Sequence, residues 1–200
     1  MMRHRSPEQE MPPADRAELD APTLARARWG ESAACRALVE WYQHAVFALL
    51  TRMLRPAGRD EWVEDLAQET FLRVFRALPG FSPSGPARLS SWILTIASRL
   101  AIDELRRKRL PLAHPDAPAR VAATERADEG AERRALREAI EQALASVVPS
   151  GRAALLLRAC HGRSHREIAA CLDLPIGTVK SRIARARQAL RLALAEVEHG

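Results

Sequence analysis

The segment between residues 164 and 192 combines a short helix, a turn and a long basic helix. In the long helix, apolar residues recur at spacings of four, three and four and form one stripe: Val179, Ile183, Ala186 and Leu190. A different face carries Lys180, Ser181, Ala184 and Arg185. Between Ile176 and Leu192 there are five basic residues and no acidic one. Short side chains allow a helix to approach DNA closely, and Lys or Arg binds phosphates and guanine edges, so this face fits the major groove. A solvated basic helix is the alternative.

The residues just before the basic helix complete a helix-turn-helix pattern. Ser164 and Glu167 stand at the spacing of a capping box, which predicts that a helix begins there. Ile168, Ala169 and Leu172 lie on one face of this short helix. The sequence Asp173-Leu174-Pro175 then predicts a turn. A capped helix, a turn and a basic helix free of acids together favour DNA binding more strongly than the basic helix alone.

A second group of charged side chains lies on a predicted helix from about Asp60 to Leu78. Its first turns carry Asp60, Glu61, Glu64 and Asp65, and its apolar stripe is Val63, Ala67, Phe71, Val74 and Leu78. Exposed carboxylates beside an apolar stripe suit a basic partner helix. The alternative is that these acids only complement the helix dipole on a solvated face.

No other residues predict catalysis or a bound cofactor. His161, His165, Cys160 and Cys171 are close enough in sequence to raise the question of a metal site. However, both cysteines fall in apolar helical patterns, where a cysteine behaves as a small hydrophobe. The chain has no glycine-rich phosphate loop. We therefore expect no enzymatic activity, no metal and no cofactor.

The elements that must position these groups are all helical. Helix-forming residues dominate, and only 4% of residues are aromatic. We predict an all-α fold of two small domains joined by a flexible linker, the second of them a helix-turn-helix domain. The boundaries are a disordered leader (1–23), the first domain (24–109), the linker (110–131) and the second domain (132–196).

Turn residues divide the first domain into three helical stretches. We expect one stretch over about 24–55, ended by Pro56 and Gly58, and the acidic helix ended by Pro79 and Gly80. Residues 81–90 read as a loop. Ser90 or Ser91 is then predicted to cap a helix over about 91–108.

Charge and cysteine content limit the compartment and the partners. Residues 81–110 carry six basic and two acidic residues, and residues 135–200 carry ten and six, whereas the segments before these blocks are slightly acidic. Two separated basic blocks suit a polyanion that is held at two places. Three cysteines without a CxxC spacing fit a reducing compartment. Because no apolar run could span a bilayer, we expect a cytoplasmic protein without membrane insertion.

Three strings, in order and across the linker, resemble the sigma-70 family of transcription initiation factors. They are DLAQETFLRVFRAL (65–78), WILTIASRLAIDELRRKR (92–109) and REIAACLDLPIGTVKSRIARARQAL (166–190). The resemblance is narrower to the extracytoplasmic-function type, which keeps only regions 2 and 4 of the family. It covers roughly residues 24–109 and 132–194.

The resemblance implies a factor that binds core RNA polymerase, through its β′ and β subunits, and promoter DNA. The acidic helix would dock on a β′ coiled coil through Asp65, Gln68 and Glu69. The −10 element would be recognised and opened by the loop 81–90 and the following helix, with these candidates: Arg88, Trp92, Thr95, Ser98, Arg99 and Arg106. The −35 element would be read by the basic helix: Thr178, Lys180, Ser181, Arg182, Ala184 and Arg185. An anti-sigma protein is a plausible further partner.

Two residues depart from the pattern of the resembled family. Arg99 stands where many relatives have Asn, in the helix that would read the −10 element. Asp173 stands where relatives often have Gly, and Asp can adopt the left-handed conformation that such a turn requires. The competing interpretation is a helix-turn-helix regulator of the response-regulator type that binds DNA without polymerase. Such proteins lack the segment 60–109, which distinguishes the two interpretations.

Overall fold

The computed structural model describes residues 18–85, 87–107 and 130–199. Those residues form eight α-helices and no strand, so the predicted all-α class is confirmed. Residues 1–17 of the predicted leader lie outside the described residues, as do residues 108–109 at the end of the predicted first domain and residues 110–129 of the predicted linker.

The first domain is built from four helices. They are α1 (Ala21–Arg28), α2 (Ser32–Leu54), α3 (Val63–Ala77) and α4 (Leu89–Arg106). Each of the last three packs against the other two, and α1 packs against α2. Leu38, Leu50, Val74 and Ile93 have no exposed surface, so the apolar stripes of α2, α3 and α4 meet in one core.

The first helical stretch is interrupted, although the sequence predicts it as continuous. Gly30 adopts a φ of +79°, and this left-handed residue separates α1 from α2. The fold also begins before the predicted boundary at residue 23. The Asp20 side chain accepts a hydrogen bond of 2.9 Å from the Thr23 amide and caps α1, and Leu19 is buried.

The start of α4 differs from the prediction that Ser90 or Ser91 caps it. The helix begins at Leu89, which is buried in the core, and Arg88 occupies the N-cap position without a side-chain hydrogen bond. Glu18 instead caps the N-terminal end of α4. Its carboxylate accepts hydrogen bonds from the Ser90 amide at 3.0 Å and from the Ser90 hydroxyl. A carboxylate at a helix N-terminus is favoured by the dipole and by the unpaired amides.

The other end of α4 is fixed by a buried carboxylate. Glu104 is only 4% exposed, and its side chain pairs with Arg59 at 3.2 Å and with Arg107 at 3.4 Å. Arg59 comes from the turn that follows α2, so this pair ties two separate segments together. It also fixes the orientation of the last turn of α4, which carries Arg106.

The second domain contains the remaining four helices. They are α5 (Ala131–Ser146), α6 (Pro149–Ala159), α7 (His165–Leu172) and α8 (Ile176–His199). Helix α8 packs along α5 and α6 and crosses α7. Leu157, Ile168, Val179 and Ala186 are 1% exposed or less and form the centre of this domain.

The helix-turn-helix has the local geometry that its sequence predicts. Ser164 Oγ accepts a hydrogen bond of 3.2 Å from the Glu167 amide, and the Glu167 carboxylate accepts one of 2.8 Å from the Ser164 amide. This is the predicted capping box. Asp173 adopts a φ of +52°, so it takes the left-handed position without a glycine.

Removing the capping hydroxyl should destabilise the second domain. We expect Ser164→Ala to lower the free energy of unfolding by about 1 kcal/mol, because an amide at the start of α7 loses its acceptor. Urea denaturation followed by circular dichroism measures this change. The control is Ser146→Ala, since the Ser146 hydroxyl only donates to the Ala143 carbonyl, at 2.7 Å, near the end of α5. Equal losses in the two variants would contradict the assignment of the cap.

Candidate nucleic-acid interface

Helix α8 presents a continuous exposed face beside its buried stripe. Val179, Ile183 and Ala186 are buried, whereas the recognition face (Lys180, Ser181, Ala184 and Arg185) is exposed. The packing of α8 therefore sets the direction of this face. The hydroxyl of Ser181 donates to the Thr178 carbonyl at 3.0 Å, which leaves its oxygen lone pairs free to accept hydrogen bonds. Thr178 itself is half-buried.

Arg182 differs from the other candidates on α8. Its guanidinium donates a hydrogen bond of 2.6 Å to the Ser150 hydroxyl at the start of α6, and the residue is half-buried. Arg182 directly precedes the buried Ile183, so its side chain starts at the edge of the buried stripe and can reach Ser150. In this arrangement Arg182 holds α8 against α6 rather than extending from the recognition face.

The candidates near the two ends of α4 fall into exposed and packed groups. Arg88 and Arg106 are exposed. Trp92 is half-buried, and its ring packs against Phe81, with a centroid distance of 5.1 Å and a tilt of 37°. Phe81 belongs to the loop before α4. Trp92 therefore packs the loop 81–90 against α4. The sequence assigns both of these segments to the same candidate site.

The remaining candidates on α4 lie against the second domain. Thr95, Ser98 and Arg99, together with Ser91, form the reading face of α4. Ser98 has no exposed surface, and its hydroxyl has no hydrogen-bond partner among the described residues. Arg99 Nε donates a hydrogen bond of 3.1 Å to the Cys171 carbonyl in α7. Helix α7 thus covers part of the reading face.

The docking candidates on α3 share an exposed face with a leucine that the sequence reading did not single out. Asp65 and Gln68 are exposed, and the Glu69 carboxylate pairs with Arg73 at 2.6 Å. Leu72 is 42% exposed on the same side of the helix. Asp65, Gln68, Glu69 and Leu72 form the docking face. The i, i+3, i+7 spacing from Asp65 to Leu72 is the signal that identifies this residue.

The residues considered for a metal site do not form one. The part of the chain that the structure describes contains no group of three or more His, Cys, Asp or Glu side chains able to hold an ion. Cys35, Cys160 and Cys171 are free thiols. Burial lowers the pKa of His161 to about 4, assisted by the charges of Arg163 and Arg52, so its ring is neutral at neutral pH.

His161 makes stability depend on pH in a definite window. In the unfolded chain its pKa is about 6.5, so between pH 6.5 and 4 the unfolded state binds more protons than the folded state. The free energy of unfolding should therefore fall as pH drops through this window, by up to about 1.4 kcal/mol per pH unit. Urea denaturation between pH 7 and 4.5 measures it. In His161→Gln this contribution should vanish, and an unchanged slope would contradict it.

None of the helices in the described residues has the length and apolar character needed to cross a membrane.

Two family matches cover most of the two domains. Residues 38–110 match the family described as Sigma-70 region 2, and residues 137–190 match the one described as Sigma-70, region 4. The first match spans most of α2, α3 and α4, and the second contains the helix-turn-helix.

Similar proteins of comparable length are known from several bacteria. The RNA polymerase sigma-H factor of Pseudomonas aeruginosa is 34% identical over 189 residues, covering 88% of this chain and 94% of that protein. The ECF RNA polymerase sigma-E factor of Escherichia coli K12 is 33% identical over 184 residues, covering 86% and 92%.

Two solved structures share the fold. CnrH in complex with the cytosolic domain of CnrY has a TM-score of 0.62 at 24% identity, covering 88% of this chain and 96% of that chain. The sigma factor RpoE of Bartonella quintana, in complex with the anti-sigma factor NepR, has a TM-score of 0.56 at 21% identity, covering 80% and 98%.

Proposed function

Because this chain belongs to the extracytoplasmic-function type of the sigma-70 family, and so directs RNA polymerase to promoters, we propose that its two domains read two separate promoter elements. The first domain recognises and opens the −10 element, and the second domain reads the −35 element. Members of this family are initiation factors rather than enzymes. The chain acts where the polymerase acts, in the bacterial cytoplasm.

The observation that carries this proposal is the recognition face of α8. Its exposed Lys180 and Arg185 flank the small residues Ser181 and Ala184, so the helix backbone can approach base edges while cations bind phosphates. Thr178 lies one turn before this face. Arg182 contributes indirectly, by holding α8 in place through its 2.6 Å hydrogen bond to Ser150.

The docking face of α3 is the proposed contact with core polymerase. Leu72 supplies apolar area, and Asp65 makes no ion pair with any described residue. An exposed leucine beside carboxylates and an amide fits a helix of basic and apolar side chains. We assign this partner to a coiled coil of the β′ subunit, with further contacts to β elsewhere on the chain.

The −10 element is assigned to the loop before α4 and to the reading face of that helix. Extruding one base costs a few kcal/mol of unstacking, so the protein must supply contacts to the flipped base and to the strand. Arg88 and Arg106 are exposed cations at the two ends of α4, and Trp92 and Thr95 lie between them. Ser98 is fully buried, whereas Arg99 is exposed and donates from its Nε to the Cys171 carbonyl of α7.

An anti-sigma partner is proposed for a groove at the domain boundary. A cavity of about 630 Å³ lies between the end of α2 and helices α5, α6 and α8. Leu136, Ile140 and Leu156 contribute apolar walls, with Arg52 and Arg133 at its rim. An amphipathic helix that carries carboxylates matches both features. The complex of a similarly folded sigma factor with the anti-sigma factor NepR supports a partner of this class.

Mapping transcript starts tests the proposed function. Purified chain, core polymerase and genomic DNA are combined, and RNA 5′ ends are sequenced. Starts at a defined set of promoters are expected only when both proteins are present. A regulator of the response-regulator type would instead bind DNA alone and would give no starts with core enzyme. Starts that do not depend on the chain would contradict the proposal.

A further inference from the structure

The residues just before α1 bind both α2 and the start of α4. The Glu18 carboxylate accepts a hydrogen bond of 3.0 Å from the Ser90 amide and another from the Ser90 hydroxyl. It also accepts one of 2.9 Å from the Tyr42 hydroxyl of α2, which in turn accepts one of 3.1 Å from the Leu19 amide. Three segments that are far apart in the sequence therefore meet at one carboxylate.

The core of the first domain holds this network in place. Tyr42 and Leu19 are both buried. Burial raises the pKa of Tyr42, so its hydroxyl keeps its proton and can donate to Glu18. The same oxygen accepts from the Leu19 amide, so the hydroxyl is used as both donor and acceptor. The position of Glu18 is thus set by residues of the core.

Glu18 supplies a cap that α4 lacks in its own sequence. Arg88 occupies the N-cap position without a side-chain hydrogen bond, and the first turn of α4 contains no acidic residue. The first amides of a helix have no partner within the helix, and a carboxylate both accepts from them and offsets the positive end of the dipole. The first turn of α4 therefore depends on a residue that lies 72 positions earlier in the chain.

This first turn is the junction between α4 and the loop 81–90. Arg88 directly precedes the helix, and Leu89 is buried in the core. Trp92 packs its ring against Phe81 of the loop, with a centroid distance of 5.1 Å. The position of the turn therefore determines where the loop meets α4 and where the side chains of Arg88 and Trp92 begin.

We propose that Glu18 is a positioning residue for −10 recognition, which holds the first turn of α4 and, through Trp92 and Phe81, the loop 81–90. The proposal rests on the function assigned above, because it concerns the segment assigned to the −10 element. Glu18 acts through Ser90 and not by touching DNA. Residues 18–20, at the end of the predicted leader and outside the family match over 38–110, are thereby part of the −10 reader.

A positioning role should change the choice of base and not only the amount of folded protein. Extruding a base costs a few kcal/mol, and contacts recover this cost only where their geometry is correct. A displaced first turn weakens the contacts to the preferred base, whereas a base that fits poorly has fewer contacts to lose. The preference for the correct −10 sequence should therefore fall.

Glu18→Ala in the full chain, bound to core polymerase, tests this prediction. Initiation is measured from a promoter found by start-site mapping and from the same promoter with each −10 base pair replaced in turn. The ratio of the two rates is the −10 preference. At the base pair with the largest ratio we expect a fall of about fivefold, since a helix cap contributes about 1 kcal/mol and 1.4 kcal/mol is a factor of ten. Lower stability alone reduces both rates alike and leaves the ratio unchanged.

Glu18→Gln covers the case in which the alanine variant does not fold. It keeps the shape of the side chain and one acceptor oxygen but lacks the charge and the second acceptor. We expect a −10 preference between those of the wild type and Glu18→Ala. A preference equal to the wild-type value in both variants would overturn the proposal.

Asp20→Ala is the matched control. It removes an acid from the same segment, and Asp20 is also a helix cap, which accepts a hydrogen bond of 2.9 Å from the Thr23 amide at the start of α1. Because this cap belongs to α1 and not to α4, we expect a −10 preference close to the wild-type value. An equal fall in Asp20→Ala and Glu18→Ala would mean that the loss of any cap in this segment has the same effect, and would contradict the assignment to Glu18.

Tyr42→Phe tests whether Glu18 acts through the network. The variant removes the hydroxyl that ties Glu18 to α2 and keeps the ring. We expect the −10 preference to fall in the same direction, and the double variant with Glu18→Ala to be no worse than Glu18→Ala alone. Independent, multiplying effects would overturn the proposal. Ser90 is unsuited to this test, because Arg163 also donates to its hydroxyl, at 2.6 Å.

These outcomes are separable from the proposed function. If the wild-type chain gives starts at defined promoters while the −10 preference is the same in all variants, only the role of Glu18 is wrong. If the wild-type chain gives no such starts, the proposed function is wrong and the role of Glu18 falls with it.

Discussion

Replacing both Asp65 and Glu69 with arginine should weaken binding to core polymerase by at least about 100-fold. The variant places two cations on the docking face, where a basic partner helix is proposed. Like charges brought together at an interface cost several kcal/mol, and a factor of 100 corresponds to about 2.7 kcal/mol. The affinity is measured by titrating labelled chain with core enzyme. The free energy of unfolding is measured in parallel, because Glu69 also pairs with Arg73.

The matched control is the double variant Glu40→Arg with Glu138→Arg. It changes the net charge by the same amount at two exposed acids on α2 and α5. Its affinity for core enzyme should stay within about threefold of the wild-type value, since surface charges away from an interface act only through screened, long-range forces. Equal effects of the two double variants would mean that α3 is not the docking site.

Substituting Lys180 and Arg185 on the recognition face should reduce −35-dependent initiation by about 10- to 100-fold for each residue. A contact to a base edge contributes about 1–3 kcal/mol to binding and favours one sequence, whereas a phosphate contact strengthens binding to every sequence alike. The salt dependence of the affinity distinguishes the two kinds of contact. If Lys180 binds a phosphate, Lys180→Ala should lower the slope of log affinity against log salt by about one. If Arg185 reads a base, Arg185→Ala should relax the preference at one position of the −35 element.

Arg182→Ala distinguishes this assignment from a general loss of positive charge. It removes the same group from the same helix, but the Arg182 guanidinium binds Ser150 inside the domain. We expect this variant to lower stability and to leave the salt slope nearly unchanged. If all three alanine variants change promoter choice and salt slope equally, the recognition face has been placed on the wrong side of α8.

The parts of the fold set by neighbouring residues could be predicted from the sequence. The capping box at Ser164 and Glu167 and the left-handed turn at Asp173 depend on groups within a few residues of one another. The spacing of the apolar residues in α8 determines which face of the helix is buried, so the exposure of Lys180 and Arg185 was also predictable. The break at Gly30 is local too, but glycine is tolerated inside many helices, and its conformation has to be seen.

The parts set by distant residues could not be predicted. Glu18 caps α4 from 72 residues away, and no pattern near Ser90 indicates this. Arg152 and Arg182 look like ordinary basic residues of the second domain, yet both donate hydrogen bonds at packed helix ends. The partners of these two side chains depend on which helices pack together, and the spacing of neighbouring residues in the sequence does not show this.

The reading face of α4 illustrates the same limit at the candidate site. The resemblance to the sigma-70 family assigns Ser98 and Arg99 to DNA, but it carries no information about the burial of Ser98 or about the hydrogen bond from Arg99 to the Cys171 carbonyl of α7. Leu72 was missed for the opposite reason. The sequence argument followed charge along α3, whereas the exposed leucine completes the face through its spacing from Asp65.

The central claim is that the two domains read one promoter jointly because the polymerase fixes the distance between them. In a promoter found by start-site mapping, five base pairs inserted between the elements turn one away from the other by about half a helical turn. Each element stays intact, and initiation is compared with that from the original promoter. The account predicts a loss of initiation by at least about tenfold, since the second contact no longer gains from effective concentration. Undiminished initiation from the altered promoter would contradict it.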